Sequence, residues 1–147
     1  MARQGPHPAL LLPLVLLAAG LAQLGEGATY QDFVNRHVDY EKTPINPERL
    51  YCDRMMQRRG MAGRTCKPTN TFLHAPEAQL QAICGRGGHH FPHLRYDNLY
   101  ESNDVISGTL CTEAPGSRPN DCKYRESPVR SRVTVGCVRG RPVHLQA

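Results

Sequence analysis

Apolar residues are packed most densely at the start of the chain and thin out afterwards. Ala9 to Ala22 forms a nearly unbroken apolar run, interrupted by Pro13 and Gly20 and preceded by the basic Arg3. A run of about 7–15 apolar residues behind a basic start, ending in small residues, reads as a secretory signal peptide. It falls short of the roughly 20 residues that a spanning helix needs. Cleavage is expected after Gly27 or earlier, after Ala22, which sets residues 1–27 apart from a single domain over 28–147. No later segment is apolar enough to cross a membrane, so the expected product is secreted and extracellular.

Within the remainder, spacing predicts helices first and strands later. Phe33 and Val34 share a side with Val38, which predicts a first helix from Tyr30 to Asp39 that Pro44 prevents from continuing. A second helix is marked by Asn46 as N-cap, Pro47 at the first helical position, Glu48 at the positive end of the dipole and Gly60 as C-cap. Tyr51, Cys52, Met55 and Met56 form its apolar stripe. A third helix is expected from about Pro76 to Cys84, ending at Gly85, and Gly85 to Pro92 reads as loop. Strands are expected around Val105 to Cys111, Cys122 to Arg125 and Val129 to Val138, with Val133, Val135 and Cys137 on one face. Early helices and late antiparallel strands give an α+β domain.

Composition shows how so small a domain is held. With 6% aromatic residues, no tryptophan, 13 glycines and 12 prolines, the apolar core is thin. All six cysteines lie beyond the apolar leader, an even number in an oxidising destination, which predicts three disulfides. Zinc is disfavoured because no two cysteines have the roughly two-to-four-residue spacing of a zinc knuckle. Of 18 basic and 13 acidic side chains, the leader removes one each, Arg3 and Glu26, so the charge of +5 persists. Such a domain attracts polyanions, whether RNA, glycosaminoglycan or a bacterial surface.

The candidate chemistry lies in histidines at the two ends of the domain, His37 and His144, and in the stretch Cys66-Lys67-Pro68-Thr69-Asn70-Thr71-Phe72. Two imidazoles facing one phosphodiester form an acid and base pair, because each changes charge near neutral pH. A lysine beside them stabilises charge that grows on phosphoryl oxygens. Seven histidines allow many such pairs, so spacing alone does not single this one out.

The stretch CKPTNTF resembles the signature of the pancreatic ribonuclease (ribonuclease A) superfamily. The resemblance extends from Tyr30-Gln31-Asp32-Phe33 through Met55-Met56-Gln57-Arg58-Arg59-Gly60 to Pro142-Val143-His144-Leu145. It implies a ribonuclease A-like fold of three N-terminal helices and a curved antiparallel sheet, and a pyrimidine-preferring endoribonuclease that needs neither metal nor cofactor. By this resemblance His37 is the general base, His144 the general acid and Lys67 the transition-state stabiliser, while Thr71 reads the pyrimidine and Arg36, Asn70 and Leu145 contact substrate. Cleavage proceeds through a 2′,3′-cyclic phosphate. The implied pairings are Cys52 with Cys111, Cys66 with Cys122, and Cys84 with Cys137.

Within the superfamily the chain looks most similar to the angiogenin branch and to the leukocyte ribonucleases of birds and reptiles. It lacks a fourth bridge, and the loop that bridge would hold contains Gly85-Arg86-Gly87-Gly88. Val138 stands where many members have glutamate, Arg36 where glutamine is usual, and Gln146 where an aspartate commonly orients the acid histidine. Reduced turnover is the expected result. Arg58, Arg59 and Gly60 resemble a nuclear-entry segment, set against the plain reading of a solvated helix end.

The expected partner is single-stranded RNA, transfer RNA included, bound by a monomer. Two other readings share the scaffold. One is an angiogenin-like signalling protein that meets heparan sulfate or a cell-surface receptor, is taken up to the nucleus or nucleolus and is held by ribonuclease inhibitor. The other is a cationic antimicrobial protein acting on bacterial membrane. Arg125, Arg130, Arg132, Arg139 and Arg141 suit a phosphate path or an exposed basic face equally. His89, His90 and His93 read as surface loop rather than metal ligands, since no carboxylate is near them in sequence, and His74 as a structural histidine.

Overall fold

A computed structural model describes residues 28–146; the expected signal peptide, residues 1–27, and Ala147 lie outside the described residues. Helix α1 spans Tyr30–His37 and opens with a capping box, in which Thr29 Oγ1 accepts from the Asp32 amide at 3.0 Å and Asp32 accepts from the Thr29 amide at 3.3 Å. It stops two residues before the expected end. Val38 turns extended and bridges Leu73, and the Asp39 amide donates to the Leu73 carbonyl at 3.0 Å.

The second helix departs from its expected start. Pro47 is extended and Asn46 makes no cap; a 3-10 turn over Glu48–Leu50, closed by Leu50 N to Pro47 O at 3.0 Å, leads into α2, Tyr51–Arg58. Its end follows the expected pattern. Gly60 has φ +80°, and the bonds Met61 N to Met56 O and Gly60 N to Gln57 O satisfy the last carbonyls. Helix α3 is short, Glu77–Ala82.

Among the described residues seven strands form two antiparallel sheets, where the resemblance implied one curved sheet. Strands β1 (Thr69–Leu73), β4 (Ile106–Glu113) and β5 (Tyr124–Ser131) form the first, in the order β1-β4-β5. The segments expected at Cys122 to Arg125 and at Val129 belong to one strand, β5, which carries Pro128 without breaking the sheet because it lies at the edge. Strands β2 (Gly88–His90), β3 (Leu99–Ser102), β6 (Thr134–Val138) and β7 (Arg141–Gln146) form the second, in that order. The expected loop from Gly85 to Pro92 therefore holds a strand. It needs glycine at 88, where a Cβ would come within 2.1 Å of the Ile83 carbonyl. Asn103 fastens this loop without a covalent link, through its side chain to Arg86 O and its amide to Gly87 O, both at 2.9 Å.

The period-two alternation of β1 divides the core. Leu73 packs with Phe33, Val38, Leu80, Ile83, Ile106 and Val135, while Phe72 faces a second cluster of Tyr51, Cys52, Met55, Met56, Cys111 and Tyr124. Helix α1 packs on both β1 and β7 and so spans the two sheets. Three disulfides fix the frame. Cys52–Cys111 joins α2 to β4, Cys66–Cys122 joins the segments leading into β1 and β5, and Cys84–Cys137 joins the end of α3 to β6. Each closes a loop of more than 50 residues and contributes on the order of 2–4 kcal/mol.

Between the helices Asp39 is buried, with 4% of its surface exposed. It accepts from Thr43 N at 2.9 Å, from Thr43 Oγ1 at 2.6 Å and from the Tyr51 hydroxyl, and Arg59 stands 3.6 Å away. Burial pulls the carboxyl upward, but the bonds from Thr43 and Tyr51 and the Arg59 charge outweigh it, and the net direction is below 3.8. A depressed carboxylate contributes stability above its unfolded pKa that is lost as pH falls through the folded one. Asp39→Asn is therefore expected to lower unfolding stability at neutral pH by about 1–3 kcal/mol. It should also flatten the loss below about pH 4, as read by thermal melts across pH. Parallel curves for the two proteins would contradict this.

Candidate active site

His37 ends α1 one helical turn after Phe33, whose ring centroid lies 5.5 Å from the imidazole. Its Nδ1 donates to the Thr71 carbonyl of β1 at 2.9 Å, which fixes the tautomer and leaves Nε2 with a free lone pair. Burial is the main cause that pushes this imidazole down to about 4. The Thr71 bond opposes the shift, and the positive charges of Lys67, His144 and Arg36 add to it.

Lys67 enters the cleft from the segment before β1. Its Nζ donates to Asn70 Oδ1 at 2.9 Å, and Asn70 Nδ2 donates to the Arg36 carbonyl at 2.9 Å. Asn70 is only 4% exposed, so this side chain is a buried strut joining the ammonium to the last turn of α1. The Tyr124 hydroxyl holds the Lys67 carbonyl at 2.8 Å. Burial, then the Arg36 charge, lowers the Lys67 ammonium pKa.

His144 reaches the same cleft from β7, where it stands opposite Gly136 in register. Burial lowers its pKa below the ordinary 6.5 and the Lys67 charge adds to this, while a hydrogen bond to the Gln146 side chain works the other way. Phe33, Arg36, His37, Lys67, Asn70, Thr71, Val143, His144 and Leu145 thus line one cleft of about 330 Å³. No carboxylate is among its lining residues. With a free imidazole nitrogen, a second imidazole and an ammonium, the cleft can bind an anion and move a proton on each side of it.

Thr71 and Leu145 also line an adjoining pocket of about 430 Å³, with Phe91, Ile106, Val129 and Val133 as apolar walls and Ser131, Arg132, Thr134 and Gln146 as polar ones. Sequence reading named only Thr71 and Leu145 at this contact; the others come from four different strands and two loops, which no local pattern joins. Phe33 was not among the expected site residues, although its spacing of four from His37 puts the two on one helix face.

The remaining candidates fall elsewhere. Val138 lies with Arg139 and Arg141 in a separate depression beside Thr29 and Tyr30. Arg125 and Arg130 are exposed on β5, and Arg132 is exposed at the rim of the adjoining pocket. Arg58 is exposed, but Arg59 is engaged by α1 and Asp39, and Gly60 serves the helix cap. His74 is held on both sides, donating to Asp39 O and accepting from Thr109 Oγ1, each at 2.8 Å. His89 does have a carboxylate beside it, Glu101 at 3.2 Å, brought there by β2–β3 pairing, and no group of metal-ligand type is found among the described residues.

Known proteins match this chain in sequence and in fold. The family model described as pancreatic ribonuclease matches residues 28–146. A pancreatic ribonuclease of Iguana iguana is 39% identical over 117 residues, covering 80% of this chain and 95% of its own. A ribonuclease of Chelydra serpentina is 40% identical over 115 residues, covering 78% and 93%. The crystal structure of green turtle egg white ribonuclease superposes with a TM-score of 0.73 at 39% identity, covering 80% of this chain and 96% of that one. A family match over every described residue, with relatives near 40% identity along almost their whole length, means that the chain belongs to the pancreatic ribonuclease family and is an endoribonuclease.

Proposed function

We propose that the protein is secreted and cuts single-stranded RNA after pyrimidines by 2′-O-transphosphorylation, with His37 as base, His144 as acid and Lys67 as stabiliser. The observation that carries this reading is the cleft in which His37, tethered through Nδ1, shares its walls with His144 and Lys67. His37 Nε2 takes the proton of the ribose 2′-hydroxyl as O2′ attacks phosphorus. His144 gives its proton to the departing O5′, leaving a 2′,3′-cyclic phosphate and a free 5′-hydroxyl. Lys67, held by Asn70, and Arg36 at the rim offset the negative charge that builds on the phosphoryl oxygens. Water then opens the cyclic phosphate with the two histidines in exchanged roles.

The base 5′ to the cut occupies the adjoining pocket. Its apolar walls take the ring, and the Thr71 hydroxyl donates to cytosine N3 or accepts from uracil N3–H. Three disulfides fit a secreted protein in an oxidising compartment.

His37→Ala and His144→Ala are each expected to lower cleavage of poly-uridine and poly-cytidine by about 10²–10⁴-fold. Undiminished cleavage by either variant would overturn its role, and equal cutting of poly-adenosine would overturn the pyrimidine pocket. The pKa directions also set the pH profile. His37 must be neutral and His144 charged, so kcat/KM should rise through about pH 4 and fall below the ordinary histidine value of 6.5. The optimum is thus on the acid side of neutral. Bound phosphate favours both imidazolium forms, so the limbs of kcat should lie at higher pH than those of kcat/KM.

Gln146 supports the His144 imidazolium with a neutral amide, which points to modest turnover at neutral pH. Gln146→Asp places a carboxylate there and is expected to move the alkaline limb upward by about one unit, with up to about a tenfold gain in rate above it. A slower variant with an unmoved limb would contradict the assignment.

A further inference from the structure

The side chain of Arg59 lies far from the phosphate cleft in sequence, yet it touches both supports of His37. Its Nη1 donates to the carbonyls of Asn35 at 2.6 Å and Val34 at 3.3 Å, in the last turn of α1. Asn35 Nδ2 returns a bond to the Arg59 carbonyl at 2.9 Å, so the C-terminal ends of α1 and α2 are tied in both directions. The guanidinium also stands 5.8 Å from the centre of the Phe72 ring and 3.6 Å from Asp39. Phe72 follows Thr71, whose carbonyl holds the imidazole. Only 23% of the Arg59 side chain is exposed.

We infer that Arg59 is a positioning residue for this reaction, clamping the end of α1 against β1 so that His37 stays seated on the Thr71 carbonyl. The fork geometry of guanidinium is what lets one side chain meet two carbonyls and a carboxylate at once, and its charge suits a helix C-terminus. Without the clamp, the Asn35 carbonyl turns to water, the Val34 carbonyl keeps only the Val38 amide, and the last turn of α1 loosens, taking His37 with it. The inference rests on His37 being the base.

The test compares Arg59→Met and Arg59→Lys with Met56→Ala. Met56 is fully buried on α2 and is none of the groups that the Arg59 side chain touches, so its truncation supplies a loss of stability of the ordinary packing kind. On a uridine-containing dinucleotide, Arg59→Met should lower kcat about tenfold with KM within about twofold. Its His37 ring signal in proton NMR should titrate closer to 6.5 than the parent's value of about 4, with His144 unmoved. Arg59→Lys should recover part of both effects, and Met56→Ala should lower the melting temperature while leaving the His37 titration in place. If the Arg59 variants lose only melting temperature, with kcat and the His37 titration unchanged, Arg59 is a packing residue and the inference fails while the base assignment stands. If His37→Ala retains full cleavage, both fail.

Discussion

The hydrogen bond from His37 Nδ1 to the Thr71 carbonyl is the contact on which the rest of the site depends. It joins the last residue of a helix to the middle of a strand, fixing at once the orientation of the imidazole, its tautomer and the distance between α1 and β1. Thr71 can serve in this way because β1 alternates. Phe72 is sunk in one cluster and Leu73 in the other, which locks the register and leaves the Thr71 side chain facing the adjoining pocket. A slip of one residue would exchange the two cores and withdraw both the carbonyl and the hydroxyl.

Around that bond the cleft gathers charge of one sign. Lys67, Arg36 and His144 each depress the His37 pKa, Arg36 depresses Lys67, and Lys67 depresses His144. No lining carboxylate relieves them, so these positive charges repel one another across the cleft and the proposed phosphate would offset that repulsion. Binding and protonation are thereby coupled. The Asn70 strut adds the rigid part, holding the ammonium toward the cleft by a bond to its head and another to the α1 backbone.

How much of this could be read from the chain depended on how local each cause was. Gly60 was legible because a left-handed C-cap is a one-residue requirement, and the three helices followed from apolar spacing. Asn46 misled because a good capping residue still needs a helix that starts beside it, and Pro47 is extended instead. Strands β1, β2, β3 and β7 were missed for a different reason. They are short, β2 and β7 hold residues such as Gly88, His89 and Pro142 that fit strands poorly, and β1 and β3 exist through pairing with β4 and β6, far away in sequence. The same holds for the site. His37, Lys67, Thr71 and His144 came from a motif and a resemblance, whereas the walls Phe91, Val129 and Val133, and the inward hold of Arg59, belong to tertiary structure alone.

The distribution of covalent links explains why that hold matters. Disulfides anchor α2 through Cys52 and the end of α3 through Cys84, but α1 contains no cysteine. A helix of eight residues has little stability of its own. Its place is kept by polar contacts at both ends and by Phe33 between them. At the start, the Thr29 box is joined by Tyr30, whose hydroxyl donates to Glu77 at 2.6 Å and accepts from Gln81 at 2.9 Å, tying α1 to α3. At the other end stand Arg59, Asn70 and Thr71. Among the described helices, the proposed base is thus carried by the one whose position is set by hydrogen bonds and packing alone, and a loosening of those bonds would reach the chemistry before it reaches the fold.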